Sequence, residues 1–284
     1  MKEPSAKRVS AHKTHFAEHR GITTAFNDIG AGDPPLVLVH GFTGGKLDFE
    51  NQLPWFADKR RVIALDQRGH GESTNVGRED AYGISIQAED LQSFLDSLGI
   101  ARCHLLGHSM GGLVAMRFAL DHPEYLASLV LMDTSASRVS LGSKADRVAF
   151  AEQVRANGFE AMVERQRASV TLPGVQPGID FLGEEEHWRR IRWKLDRMDR
   201  EAFVGLMNGM GQNDVQGELS RIECRTTVLV GEHDGPFVEP SAMMARAIGR
   251  SRLVTIPGAA HCPQYENASA WRAAIDAHLE WAGA

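Results

Sequence analysis

Cysteine is scarce: Cys103, Cys224 and Cys262 stand alone in 284 residues, odd in number and scattered. That excludes a disulfide framework, and a reducing, cytoplasmic setting is expected. Long apolar runs are also missing. No stretch approaches the roughly 18 residues of a membrane span, so no membrane partner is expected. The opening MKEPSAKRVSAHKTH carries charge with no apolar segment behind it, and a cleaved signal peptide is not expected either. Basic residues are not in excess: 31 Lys and Arg stand against 37 Asp and Glu, for a net charge of -6. A nucleic-acid binder would need a basic patch and a high pI, so no nucleic-acid partner is expected. No G-x-x-x-x-G-K-S/T phosphate loop occurs. Gly30-Ala31-Gly32 stops short of a dinucleotide fingerprint, and Pro34 and Pro35 oppose a helix start there.

What is present is an alternation. Hydrophobic residues make up 43% of the chain, an ordinary share for a globular protein with a large core. Short apolar runs at 36–40, 62–65, 103–106, 129–132, 227–230 and 253–256 read as strands buried on both faces. Two β-like runs, 15–18 and 22–28, precede them. Helical patterns at 85–98, 110–121, 241–249 and 268–281 lie between or after these runs. The order predicts an α/β fold with a doubly wound, mostly parallel, eight-stranded sheet. The alternation breaks once, over 137–215, where helical patterns dominate and the segment is too long for a loop. The expected organisation is a core of 1–136 and 216–284 with a helical cap of 137–215. In that cap, Glu184–Glu186 followed by Arg189, Arg190, Arg192 and Lys194 reads as a solvated helix start and face.

One motif carries chemistry. Gly107-His108-Ser109-Met110-Gly111 follows a strand and opens a helix, in the pattern G-x-S-x-G. The glycines let strand and helix approach a strained turn that exposes the serine oxygen. The turn also brings the Met110 amide, at the helix start, toward an oxyanion. Ser109 is therefore the candidate nucleophile.

These landmarks, taken together, resemble the α/β-hydrolase superfamily over nearly the whole chain. His40-Gly41-Phe42 is similar to its oxyanion loop, Asp66-Gln67-Arg68-Gly69-His70-Gly71-Glu72-Ser73 to its D-x-R-G-x-G-x-S loop, Gly231-Glu232-His233-Asp234 to its acid loop, and Ala260-His261 to its histidine loop. The resemblance implies a serine hydrolase with a helical cap, of esterase or lactonase type. It also implies that the Phe42 N–H is the second oxyanion donor, while His40 shapes the loop and transfers no proton. The fold fixes the chain order nucleophile, acid, histidine. His261 is the expected general base. Two aspartates compete to orient it: Asp234 sits in the better-matched loop, and Asp133 follows the preceding strand. The chemistry so implied needs no cofactor and no metal.

His12, His15 and His19 sit in an extended segment where their spacing would not converge on a metal. His108 is expected to point away from the substrate. Trp188, Trp193, Phe203, Met207 and Met210 have the spacing of a packed helix face. Trp188, Met207 and Met210, with Phe42 and Cys262, are nevertheless the candidates for lining a substrate pocket, and Gln264 adjoins it. The expected partner is a small-molecule ester or lactone; the oligomeric state is unspecified. A carbon–carbon bond hydrolase or cofactor-free lyase could use the same three residues, haloperoxidase-like perhydrolysis is a side activity to consider, and a small-molecule receptor with weak hydrolase activity is the non-enzymatic competitor.

Overall fold

The computed structural model describes residues 11–138, 143–168 and 175–283. Its centre is an eight-stranded sheet in the order β1-β2-β4-β3-β5-β6-β7-β8. The strands are β1 (His15–His19), β2 (Ile22–Ile29), β3 (Leu36–Val39), β4 (Val62–Leu65), β5 (Cys103–His108), β6 (Leu126–Met132), β7 (Arg225–Gly231) and β8 (Ser251–Ile256). Strand β2 pairs antiparallel with both β1 and β4 near one edge; β3 to β8 run parallel. The expected doubly wound architecture is thus the observed one. The apolar runs LVLV and VIAL are buried at every position because helices cover both faces.

Flanking the sheet are α1 (Leu53–Ala57), α2 (Ile84–Ser97) and α3 (Met110–Asp121), followed after β6 by α4 (Lys144–Asn157), α5 (Glu160–Ala168), α6 (Val175–Leu182), α7 (Glu184–Asp196) and α8 (Arg200–Gln212). The chain then returns to the sheet with α9 (Gly235–Ala247), α10 (Pro263–Glu266) and α11 (Ala268–Gly283). Residues of α2 and α3 build the core on one face, with Phe94, Leu113 and Phe118 against Val37, Ile63 and Leu105. Trp271 and Ile275 of α11, with Phe56 of α1, pack under Leu36, Leu38 and Leu106 on the other. A third apolar cluster joins Val154, Phe159, Leu195, Phe203 and Met207 within α4–α8, and the Phe42 ring packs against it. Helix α9 begins earlier than the apolar pattern suggested. It starts at Gly235 and carries Pro236 in its first turn, where the missing N–H costs no helix bond. Among the described residues, no helix is long and apolar enough to cross a membrane.

One polar chain threads this core. His104 Nδ1 lies 2.7 Å from Ser128 Oγ, Ser128 Oγ 2.7 Å from His278 Nε2, and His278 Nδ1 2.7 Å from Thr227 Oγ1, linking β5, β6, β7 and α11. Each of these polar atoms has a partner, which is what burial demands of them.

The parallel register brings the strand ends together. His108 pairs with Met132, and Gly231 with Ile256. Ser109 N–H donates to Met132 O at 2.8 Å and Asp133 N–H to Leu229 O at 2.9 Å. The loops carrying Ser109, Asp133, Asp234 and His261 therefore share one carboxyl edge of the sheet, where open α/β folds place their ligands.

Candidate active site

Ser109 occupies the turn between β5 and α3 with φ 53° and ψ -117°. A side chain rarely adopts this backbone, and such strain persists where the surroundings over-determine it. Its neighbours must be small. A Cβ on Gly107 would strike the Gly111 carbonyl, and one on Gly111 would strike the Val39 carbonyl. Helix α3 starts at Met110, so the Met110 N–H is one of the first-turn donors that no helix bond satisfies. The His40–Phe42 loop lies against the nucleophile: a Cβ on Gly41 would sit 3.1 Å from Ser109 Cβ. His40 holds that loop. Its Nε2 accepts from Gln67 N–H at 3.0 Å, so its Nδ1–H donates to Gly41 O at 2.8 Å. Burial lowers the His40 pKa to about 4, which keeps this neutral tautomer.

Ser109, His261 and Asp234 are brought into line. His261 Nε2 lies 3.1 Å from Ser109 Oγ, and His261 Nδ1 lies 2.8 Å from Asp234 Oδ2. Asp234 caps the start of α9 and is buried, while the histidine ring is partly exposed. Asp133 is placed differently. It sits just past β6 at φ 47°, fully buried, and its Oδ1 accepts from Gly231 N–H at 2.8 Å. Burial, with the nearby Asp234 charge, pushes its carboxyl well above the usual range. Asp133 thus braces the strand that carries Asp234 and makes no hydrogen bond to His261.

The histidine loop is anchored twice. Glu266 Oε2 accepts from Ala260 N–H at 2.5 Å and Cys262 N–H at 3.2 Å. His108 Nε2 lies 2.7 Å from the His261 carbonyl oxygen, which can only accept, so Nε2–H is the donor. The His108 ring is 5.1 Å from the His261 ring and lines the cavity over Ser109, which corrects the expectation that it points away.

A cavity of about 240 Å³ opens onto Ser109 and His261. Phe42 and Cys262 line it, as expected; Trp188, Met207 and Met210 do not. Trp188 is buried with the Arg167 guanidinium 5.1 Å over its ring, Met207 packs with Phe203 and Val204, and Met210 joins the main core. Their helical spacing marks a packing face, and that face turns from the cavity. The reading of α7 as a solvated helix start and charged face holds for Glu184, Glu185, Arg189 and Arg192 and is corrected for Arg190 and Lys194. His187, Arg190, Ile191 and Lys194 fall at i, i+3, i+4 and i+7 of α7, and all four line the cavity. Lys194 Nζ meets Asp48 Oδ1 at 2.5 Å. Arg190 meets Glu50 at 2.7 Å and Glu186 at 2.6 Å, and donates to Leu47 O at 3.2 Å. The stripe was present in the sequence, but the charges on it hid its inward direction. Glu266 left no such signal, because its role depends on a loop fold.

A wider surface cavity of about 840 Å³ lies between α2 and α8 and contains none of the candidate residues. The N-terminal histidines diverge. His15 packs on Phe26, and His19 bonds Ser93 and Thr24 at 2.6 and 2.8 Å. Among the described residues, no cluster of three His, Cys, Asp or Glu is placed to hold a metal ion.

The geometry can be set beside known proteins. The model of the α/β hydrolase fold family matches residues 34–268. The chain belongs to this family. The hydrolase is 28% identical over 87% of its length to a Bacillus subtilis protein assigned as a 2-succinyl-6-hydroxy-2,4-cyclohexadiene-1-carboxylate synthase, 90% of which is covered. It is 29% identical over 81% of its length to a pimeloyl-(acyl-carrier protein) methyl ester esterase of Aeromonas hydrophila, 89% of which is covered. It superposes on a thermophilic esterase from Thermogutta terrifontis with a TM-score of 0.80 and 31% identity, covering 95% of this chain and 99% of that one.

Proposed function

We propose that this hydrolase cleaves a small carboxylic ester or lactone through an acyl-enzyme on Ser109. The observation that carries the reading is the hydrogen-bonded line from Asp234 through His261 to Ser109 Oγ. Asp234 holds Nδ1–H of the imidazole, leaving Nε2 free to take the Ser109 proton as Oγ attacks the carbonyl carbon. The negative charge moves to the carbonyl oxygen, which the Met110 and Phe42 N–H groups receive. His261 returns its proton to the leaving alkoxide as the carbon–oxygen bond breaks. Water then repeats the sequence on the acyl-enzyme: His261 takes its proton, hydroxide adds, and collapse of the adduct releases the acid and restores Ser109.

Residues 137–215 act in this reading as a cap, with α7 lining the cavity that Ser109 also lines. Phe42 and Cys262 border the acyl site. Its volume is below the roughly 300–1,000 Å³ of drug-sized pockets, in keeping with a small substrate. The two esterases among the similar proteins support the ester reading. The synthase supports a second one, in which His261 and Ser109 abstract and relay a proton for elimination without an acyl-enzyme. Stopped single-turnover mass spectrometry separates them. An acyl adduct on Ser109 with a slow ester is the expected result; substrate turnover with no adduct at any time favours elimination.

A further inference from the structure

The charged groups that line the cavity satisfy one another: Lys194 pairs with Asp48, and Arg190 with Glu50 and Glu186. The groups left over are neutral. Gln264 is fully buried on the cavity wall, and neither its Oε1 nor its Nε2 has a hydrogen-bond partner among the described residues. His187 Nε2, from α7, is buried on the same cavity and is equally unpartnered. His108 Nδ1 is a third such atom. Because His108 Nε2–H donates to the His261 carbonyl, Nδ1 is a bare acceptor. Buried polar atoms in folded proteins are almost always paired. Gln166 Oε1, from α5, is buried and unpartnered among the described residues on the same cavity, so four residues break that rule around one small cavity that also holds Ser109.

Resting on the ester-hydrolase reading above, we infer that the cavity selects an uncharged ester or lactone bearing a hydroxyl or amide group beyond the scissile carbonyl, which Gln264 and His187 hydrogen-bond. Gln264 presents a donor and an acceptor on one planar group, which matches a function that both donates and accepts. A plain alkyl chain would leave these buried atoms unpaired, and sites built to bond a hydroxyl reject the analogue lacking it more strongly than apolar pockets discriminate by size. An anionic substrate has no free cation to meet, since Lys194 and Arg190 already face carboxylates.

The test compares methyl butyrate, methyl 3-hydroxybutyrate, 2-hydroxyethyl butyrate and monomethyl succinate as substrates of the intact protein. At least one hydroxylated ester should exceed methyl butyrate in kcat/KM by tenfold or more, and monomethyl succinate should fall below both hydroxylated esters. Gln264→Leu should bring the ratio of hydroxylated to plain ester close to one, with His187→Phe reducing it in part. Equal wild-type rates for plain and hydroxylated esters, or preference for the succinate, would overturn the inference without any variant having to fold. Should no ester be turned over and Ser109 resist an organophosphonate, the hydrolase reading falls by itself. The inference is then decided by Kd values of the same compounds for Ser109→Ala, where tenfold tighter binding of a hydroxylated ester supports it and equal binding refutes it.

Discussion

His108 Nε2–H donates to the backbone carbonyl of His261 at 2.7 Å, so the residue before the nucleophile fastens the loop that carries the proposed base. His108→Ala leaves that carbonyl unpaired and the loop free to shift, at a cost of about 1–3 kcal/mol. The expected effect is a fall in kcat/KM of about ten- to a hundredfold, since small displacements of aligned groups are costly. Phosphonate labelling of Ser109 should slow by a similar factor. His108→Gln, which keeps a donor, should restore part of the loss. Equal rates for all three proteins would remove the residue from this role.

Ser109→Ala should keep the fold and lower ester turnover by about 10³ to 10⁶. Mass spectrometry after organophosphonate treatment should find one adduct, on the peptide containing Ser109. Adduct formation on another serine would displace the assignment.

The two aspartates should separate cleanly. Asp234→Asn leaves His261 Nδ1 facing an amide and should cut kcat by up to about 10⁴. Asp133→Asn should cost much less turnover, because Asp133 bonds Gly231 N–H and burial favours its uncharged form. A larger loss from Asp133→Asn would transfer the orienting role to the earlier strand.

Stability should respond to acid through the core. Burial lowers His40 and His104 to about 4 and His70 and His278 to about 3. Each folded pKa lies below the ordinary value near 6.5, so the unfolded chain binds more protons as pH falls. The stability these neutral rings allow is complete above about pH 6.5 and is lost as pH falls from there toward the folded values of about 4 and about 3. The raised carboxyls of Asp133 and Glu266 act in the opposite sense. Urea midpoints should therefore drop between pH 6.5 and 4.5, and His278→Gln should flatten the curve. A midpoint constant over that range would refute this account.

EDTA should not change the rate, since the proposed mechanism gives the developing charge to backbone amides. Loss in EDTA with recovery in zinc would contradict the serine mechanism. Short acyl esters should outpace long-chain glycerides, and rates that rise past about ten carbons would contradict the small cavity.

The fold was legible because its signals are local. LVLV and VIAL are short, β-branched-rich apolar runs that fit strands buried on both faces, and Gly107 and Gly111 flank Ser109 because strand and helix pass too close for a Cβ. Chain order left Asp133 and Asp234 both open, and the resemblance of the Gly231–Asp234 loop to the family's acid loop favoured Asp234. The cavity wall was harder to read. Charge on α7 suggested solvent, yet Arg190 and Lys194 find carboxylates from the 48–50 segment, which nothing near them in sequence announces. Trp188, Met207 and Met210 had the right chemistry for a pocket, but apolar size alone does not distinguish a wall from a core. Glu266 and His108 act on backbone groups of a distant loop, and such roles exist only after folding.

The pairs Lys194–Asp48 and Arg190–Glu50 also bear on how a substrate arrives. They tie α7 to the segment beside the oxyanion loop, and both lie largely out of solvent. Breaking either by moving one partner away would strand a buried charge, a loss of about 3–5 kcal/mol. Salt screens such contacts poorly. Helix α7 is therefore a fixed post, and any hinged opening of the insertion must pivot around it.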